Sequence, residues 1–152
     1  TRACFGGNES SPTNLINYVT MASTGDALDF GDLTVARNLV SGVSTTVRGA
    51  FGGGRAPGDL DVIDYITIAS TGDATDFGNL TSARQNTGST SNNLRGVFIG
   101  GGKAGVGSGI QNTIDYITIA STGNASDFGD SVDTATGRSK GVSSDSHSGL
   151  PN

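Results

Sequence analysis

Two kinds of short apolar run alternate along this chain, parted by polar segments rich in Gly, Ser, Thr, Asn and Asp. One kind ends in glycines, as in RGVFIGGG at 95–102, and the other is written IDYITIAS at 63–70. Val, Ile, Tyr, Phe and Thr fill both, as suits a pleated surface, and Gly, Asp and Asn fill the connections. No segment sustains a 3.6-residue apolar period, so helices should be few. Side chains alternate along a strand, which puts Ile63 and Tyr65 on one face and Ile66 and Ile68 on the other. Both faces are partly apolar. A sheet wet on one side shows cleaner alternation, so the pattern predicts sheets covered on both sides.

The pattern is written three times. INYVTMASTGDALDFGDL at 16–33 returns as IDYITIASTGDATDFGNL at 63–80 and as IDYITIASTGNASDFGD at 114–130. Tyr18, Tyr65 and Tyr116 are 47 and 51 residues apart, Phe30, Phe77 and Phe128 keep those intervals, and Phe5, Phe51 and Phe98 are 46 and 47 apart. These nine residues are all the Tyr and Phe of the chain, and they are expected to build its core. Burying each is worth about 1.5–3 kcal/mol. A lone unit cannot bury both of its faces, and repetition supplies the missing neighbour. The units run approximately over 1–41, 42–87 and 88–140, and a C-terminal strand at 141–152 is phased to complete the first unit. The chain thus reads as three units cut inside a unit, a part of a longer product or a processed one.

Composition narrows the classes. With 152 residues, 25 Gly and only 15% charged residues, the chain fits one all-β repeat domain. A net charge of −5 argues against nucleic acid, which wants clustered Lys and Arg, and against anionic membrane surfaces. No run approaches the roughly 18 apolar residues of a membrane span, and no signal peptide is recognised. Cys4 is alone, so neither an intrachain disulfide nor a cysteine metal cluster is available.

The order of signals in each unit resembles the kelch motif of β-propellers. Gly53-Gly54, Tyr65, Phe77 and Arg84 match its Gly-Gly pair, its tyrosine, its later aromatic and its arginine. Gly6-Gly7, Tyr18, Phe30 and Arg37 repeat the match, as do Gly101-Gly102, Tyr116, Phe128 and, after extra residues, Arg138. Phe stands where kelch blades usually carry Trp. The resemblance implies kelch-like propeller blades of about 47 residues, the alternative being a threefold β-trefoil or β-prism. Three units fall short of the four to eight blades of a ring, so further blades or associating copies are expected. The wording IDYITIASTGNASDFG with its SDSH-GL ending also resembles repetitive virion proteins of marine, especially cyanobacterial, bacteriophages. That implies a structural or adhesive virion component of a tail, fibre or capsid decoration. Its partners would be other virion proteins, further copies or a host-surface glycan. The alternative is a secreted, lectin-like carbohydrate-binding module.

Candidate chemistry is sparse. Asp26, Asp29 and Asp32 recur as Asp73, Asp76 and Asn79, and as Asn124, Asp127 and Asp130. Clustered oxygens can hold Ca²⁺, but the spacing is not that of an EF-hand, and turns held by side-chain bonds to backbone amides are the favoured reading. No other cofactor is expected. The repeated Arg37, Arg84, Arg48 and Arg95 are expected to make Arg–Asp bonds between turn and neighbouring strand, with phosphate or acidic glycan as the alternative. The glycine runs lack the Lys-Ser/Thr of a phosphate loop and suggest close backbone packing instead. His147 beside Asp145 in a serine-rich tail does not make a triad, which geometry defines, so an enzyme is not expected. Asn8, Asn79 and Asn124 begin N-x-S/T sequons, which matter only in a eukaryotic secretory setting. The loops between glycine strand and tyrosine strand differ from unit to unit, and recognition usually lives in such loops. Their candidate contacts are Asn8, Glu9 and Asn14, then Arg55, Asp59 and Asp61, then Lys103, Gln111 and Asn112.

Overall fold

A computed structural model describes residues 1–104, 109–132 and 143–144. Arg138, His147 and most of the segment expected to complete the first unit lie outside the described residues. The described chain is all-β, as the residue pattern predicts, and contains no helix.

Its strands form three antiparallel sheets. The first holds β1 (Arg2–Gly6), β2 (Thr13–Thr20) and β3 (Leu28–Arg37). The second holds β4 (Ser41–Ser44), β5 (Arg48–Gly52), β6 (Val62–Thr67) and β7 (Thr75–Asn79). The third holds β8 (Gly88–Ser91), β9 (Arg95–Ile99), β10 (Thr113–Thr118) and β11 (Ser126–Asp130). Within each sheet every strand pairs with its neighbour in sequence, so each sheet is a simple meander. The glycine strand and the tyrosine strand keep one register throughout: Phe5 lies opposite Asn17, Phe51 opposite Asp64 and Phe98 opposite Asp115.

The sheets pack on one another through two apolar clusters. Ile16, Phe30 and Leu33 of the first sheet meet Phe51 and Ile66 of the second. Val43, Ala50, Ile63, Phe77 and Leu80, from the second sheet and its exit turn, meet Phe98, Ile117 and Ile119 from the third. The second sheet is therefore covered on both faces, and Ile63 and Ile66 go to opposite clusters as strand alternation requires. Within each sheet the Tyr and the later Phe meet edge to face, at 5.9, 6.0 and 5.9 Å between ring centroids.

Of the nine aromatic anchors Phe30, Phe51, Phe77 and Phe98 are buried, the three tyrosines are half-buried, and two depart from the core expectation outright. Phe5 is 56% exposed and Phe128 57%, whereas Phe51 and Phe98, or Phe30 and Phe77, are buried at the matching positions. Phe5 lies on the first sheet and Phe128 on the third, and no further sheet covers either among the described residues. Their chemistry matches that of the buried copies. Their neighbours do not.

Candidate binding rim and the contacts that fix it

The framework is locked by a buried ion pair at each junction. Arg37, at the end of β3, donates from one guanidinium nitrogen to Asp64 on β6 at 2.8 Å and from the other to the Phe51 carbonyl at 3.1 Å. Thr34 completes the site, donating its amide and its hydroxyl to the two Asp64 oxygens at 3.1 and 2.5 Å. The next junction repeats the arrangement with Arg84, Asp115 and Thr81: the ion pair spans 2.9 Å and the Thr81 bonds 3.0 and 2.6 Å. All four charged side chains are fully buried. Burial pulls the Arg84 guanidinium below its ordinary pKa, and Asp115 opposes that fall by charge and hydrogen bonding. Carboxylates so enclosed survive because each oxygen has a partner.

An Arg–Asp bond to the neighbouring strand was expected for these arginines, yet the acid is not one of the turn aspartates. The acids are Asp64 and Asp115, which stand on the tyrosine strands and outside the recurrent turn. Their signal is a carboxylate inside an apolar strand, IDYI, written twice and replaced by Asn17 in the first copy. Arg48 and Arg95 make a different contact from the one expected. With Arg2 they lie over Tyr65, Tyr116 and Tyr18, each 4.6 Å from the ring centroid, as cation–π pairs within a sheet.

The recurrent acids are distributed along strands and turns. Asp29 and Asp32 lie on β3, Asp76 on β7, and Asp127 and Asp130 on β11, while Asp26 and Asp73 lie in the turns before β3 and β7. Among the described residues no three acidic, His or Cys side chains gather to hold a metal. The Asp73 carboxylate instead accepts the Asp32 amide of the preceding unit at 3.0 Å, and Asn124 does the same for Asn79 at 3.1 Å. Backbone bonds flank this clasp: Gly72 donates to Phe30 and Ala74 to Asp32, both at 2.7 Å, mirrored by Gly123 to Phe77 and Ala125 to Asn79. The turn approaches so closely that a Cβ on Gly31 or Gly78 would lie 2.4 or 2.5 Å from the carbonyl oxygen of Gly72 or Gly123. A copied turn thus docks on a copied strand of the unit before it.

The glycine runs also serve close approach. A Cβ on Gly54 would lie 2.7 Å from the Asn38 carbonyl, and one on Gly101 2.7 Å from that of Gln85. These contacts bring the uncopied loops together. Asn38 exchanges backbone bonds with Arg55 at 3.0 and 2.9 Å, and its side-chain amide donates to the Glu9 carbonyl at 3.2 Å. Leu39 donates to the Asn8 carbonyl at 3.0 Å, and the Ala104 amide donates to Asp59 at 2.6 Å. The β3–β4 linker at Asn38 and Leu39 therefore bridges the loop after β1 to the loop after β5, which itself meets the loop after β9. The result is one continuous rim.

Asn8, Glu9 and Arg55 are exposed on this rim, while Asp59 and Lys103 are half-buried. Asn14 lies on β2 rather than in the loop. Asp61, Gln111 and Asn112 are half-buried and anchor the loop bases through backbone bonds to Leu80, Gly101 and Ser131 at 2.7, 2.9 and 2.8 Å. Asn38 Oδ1 and Asp59 Oδ1 are buried without a hydrogen-bond partner among the described residues of the protein.

A cavity of about 610 Å³ lies away from the rim, bordered by Arg2 to Cys4 of β1, Ser44 and Thr45 beside β4, and Ser91 and Asn92 beside β8. Its lining mixes hydroxyl and amide side chains with apolar ones such as Met21, Phe51 and Ile68. Cys4 sits there with its thiol pKa raised by burial, against the opposing charge of Arg2, and is therefore not an activated nucleophile. No protein-family model matches the chain, and comparison with curated proteins gives no match.

Proposed function

We propose that this protein is a structural, adhesive component of a virion, built of kelch-like propeller blades and acting by protein–protein or receptor contact through its loop rim. The observation that carries the adhesive reading is the rim itself. Three loops of unlike sequence are joined side by side, the first two by the Asn38 linker and the last two by Asp59, on a framework whose strands and clasps are copied. A rigid scaffold that presents contiguous variable loops is the arrangement recognition proteins use. The virion assignment rests on the phage-like wording of the repeat. The blade assignment rests on the three stacked antiparallel meanders.

The cavity beside β1, β4 and β8 favours a second reading, a carbohydrate-binding module, because its hydroxyl and amide groups suit sugar hydroxyls and its apolar groups suit a sugar's carbon face. One experiment separates the two. The chain is applied to a glycan array and to particles and host cells, together with a rim variant (Glu9→Ser, Arg55→Ser, Lys103→Ser) and a cavity variant (Asn92→Ala). Binding to particles or cells that the rim variant loses supports the adhesive reading. Binding to defined sugars that only the cavity variant loses supports the lectin. Retention of all binding by both variants overturns both.

A further inference from the structure

The two ends of the sheet stack carry the two halves of one interface. At each junction within the chain, the later sheet contributes a phenylalanine from its glycine strand, Phe51 or Phe98, and a turn that clasps its predecessor. The earlier sheet contributes the phenylalanine of its last strand, Phe30 or Phe77, and a glycine, Gly31 or Gly78, over which the turn lies. The first sheet displays an unused copy of the later half: Phe5 is 56% exposed, Met21, which matches Ile119, is 70% exposed, and Asp26 and Ala27 stand exposed in the turn. The third sheet displays an unused copy of the earlier half: Phe128 is 57% exposed, and a Cβ on Gly129 would meet nothing within 4 Å.

The first sheet lacks the aspartate of the internal ion pairs, and the arginine matched on the other side, Arg138, lies outside the described residues. Asn17 replaces the aspartate of the later half, and Ser131 and Val132 replace the Leu-Thr of the earlier half. Contact between these ends would therefore bury no aspartate without its arginine, a loss that is strongly destabilising. The hydrogen-bond donors and acceptors also correspond. Gly25 and Ala27 occupy the places of Gly72 and Ala74, the carbonyls of Phe128 and Asp130 those of Phe30 and Asp32, and Asp26 that of Asp73.

We infer that a second copy of this chain docks head to tail, with its first sheet on the Phe128–Gly129 face of the third sheet. Phe5 then enters the third sheet's apolar face as Phe51 enters the first, and the Asp26 turn closes over Gly129. Such a contact is heterologous, and it closes into a ring where the rotation permits. Two copies bring six sheets, within the usual four to eight of a propeller ring. The inference stands on the internal junctions and not on the adhesive reading. Self-association without surface binding, or surface binding by a monomer, tells the two apart.

The test is light scattering with sedimentation equilibrium on the 152-residue chain and on Phe5→Asp and Phe128→Asp, with circular dichroism to verify the fold. Both side chains are exposed, so each variant should fold as the parent does. The parent should form a species of twice the 15.2 kDa chain mass. Each variant alone should associate more weakly by about tenfold or more. An equimolar mixture should regain a dimer, because one intact Phe5 face still meets one intact Phe128 face. A folded parent that stays monomeric to about 100 µM (ΔG weaker than roughly −5.5 kcal/mol) overturns the inference. So does an oligomer that both variants leave unchanged, or a mixture that fails to recover.

Discussion

Asp64 shows how a single residue can hold two sheets in register. Its carboxylate receives three bonds, from Arg37 and from the amide and hydroxyl of Thr34, at a site closed to water. Removing the acid strands a buried guanidinium, so Asp64→Ala should cost about 3–5 kcal/mol, read as a lower urea midpoint. The paired change Arg37→Met with Asp64→Leu should cost clearly less, because no charge is left alone. Gly78 offers a second test. It holds φ at 141°, and a Cβ there would meet the Gly123 carbonyl at 2.5 Å. Gly129 holds a comparable φ of 128° with open space beside it. Gly78→Ala should therefore destabilise the fold by more than Gly129→Ala, the backbone part of either cost being about 1–3 kcal/mol. Comparing the two melting curves at a concentration where the chain is monomeric isolates the steric share.

The recurring elements are the meander and the turn that leaves it. Each tyrosine strand carries an arginine on the ring of its Tyr and an edge-on phenylalanine beside it, so one aromatic ring joins three strands. Arg48 also donates to the carbonyl of Ala120 at 2.9 Å, which ties the second sheet to the turn of the third. Arg48→Ala should lose about 0.5–1 kcal/mol of cation–π attraction plus that bond, whereas Arg48→Lys should lose less, as thermal denaturation would show. Changes in the loops should behave differently. Glu9→Ser and Arg55→Ser touch exposed side chains outside the ion pairs and should leave stability within about 0.5 kcal/mol. Any loss of binding in the rim variant then reports on recognition rather than on folding.

On the scale of the molecule, the stack is asymmetric: one end offers a phenylalanine and a turn, the other a phenylalanine and an open glycine. The association predicted from that asymmetry should strengthen with added sulfate, since an apolar contact built on Phe5 and Phe128 gains from salts that drive burial. Much of the architecture was legible beforehand because strand preference and repetition are local properties. The strands, the three units and the two-sided burial of Ile63 and Ile66 all follow from apolar spacing. The candidate site was legible only in part. The loop positions were marked by their divergence, but nothing along the chain says that the loops touch, because Asn38 and Asp59 join residues that lie 17 and 45 positions apart.

By itself the amino-acid order determined which segments are strands, how often the unit recurs, and which side chains alternate to each face, since these depend on neighbours within a few residues. Only the tertiary structure decided which identical residues are buried. Phe30 and Phe128 sit in the same DFG, yet one is 3% exposed and the other 57%, because a following sheet covers the first and none covers the second among the described residues. It likewise decided that Asp73 and Asn124 are clasps between units, and that the carboxylates buried with arginine are Asp64 and Asp115. Charge pairing across a junction is set by the packing of sheets about 30 residues apart in sequence, and no local pattern encodes that distance.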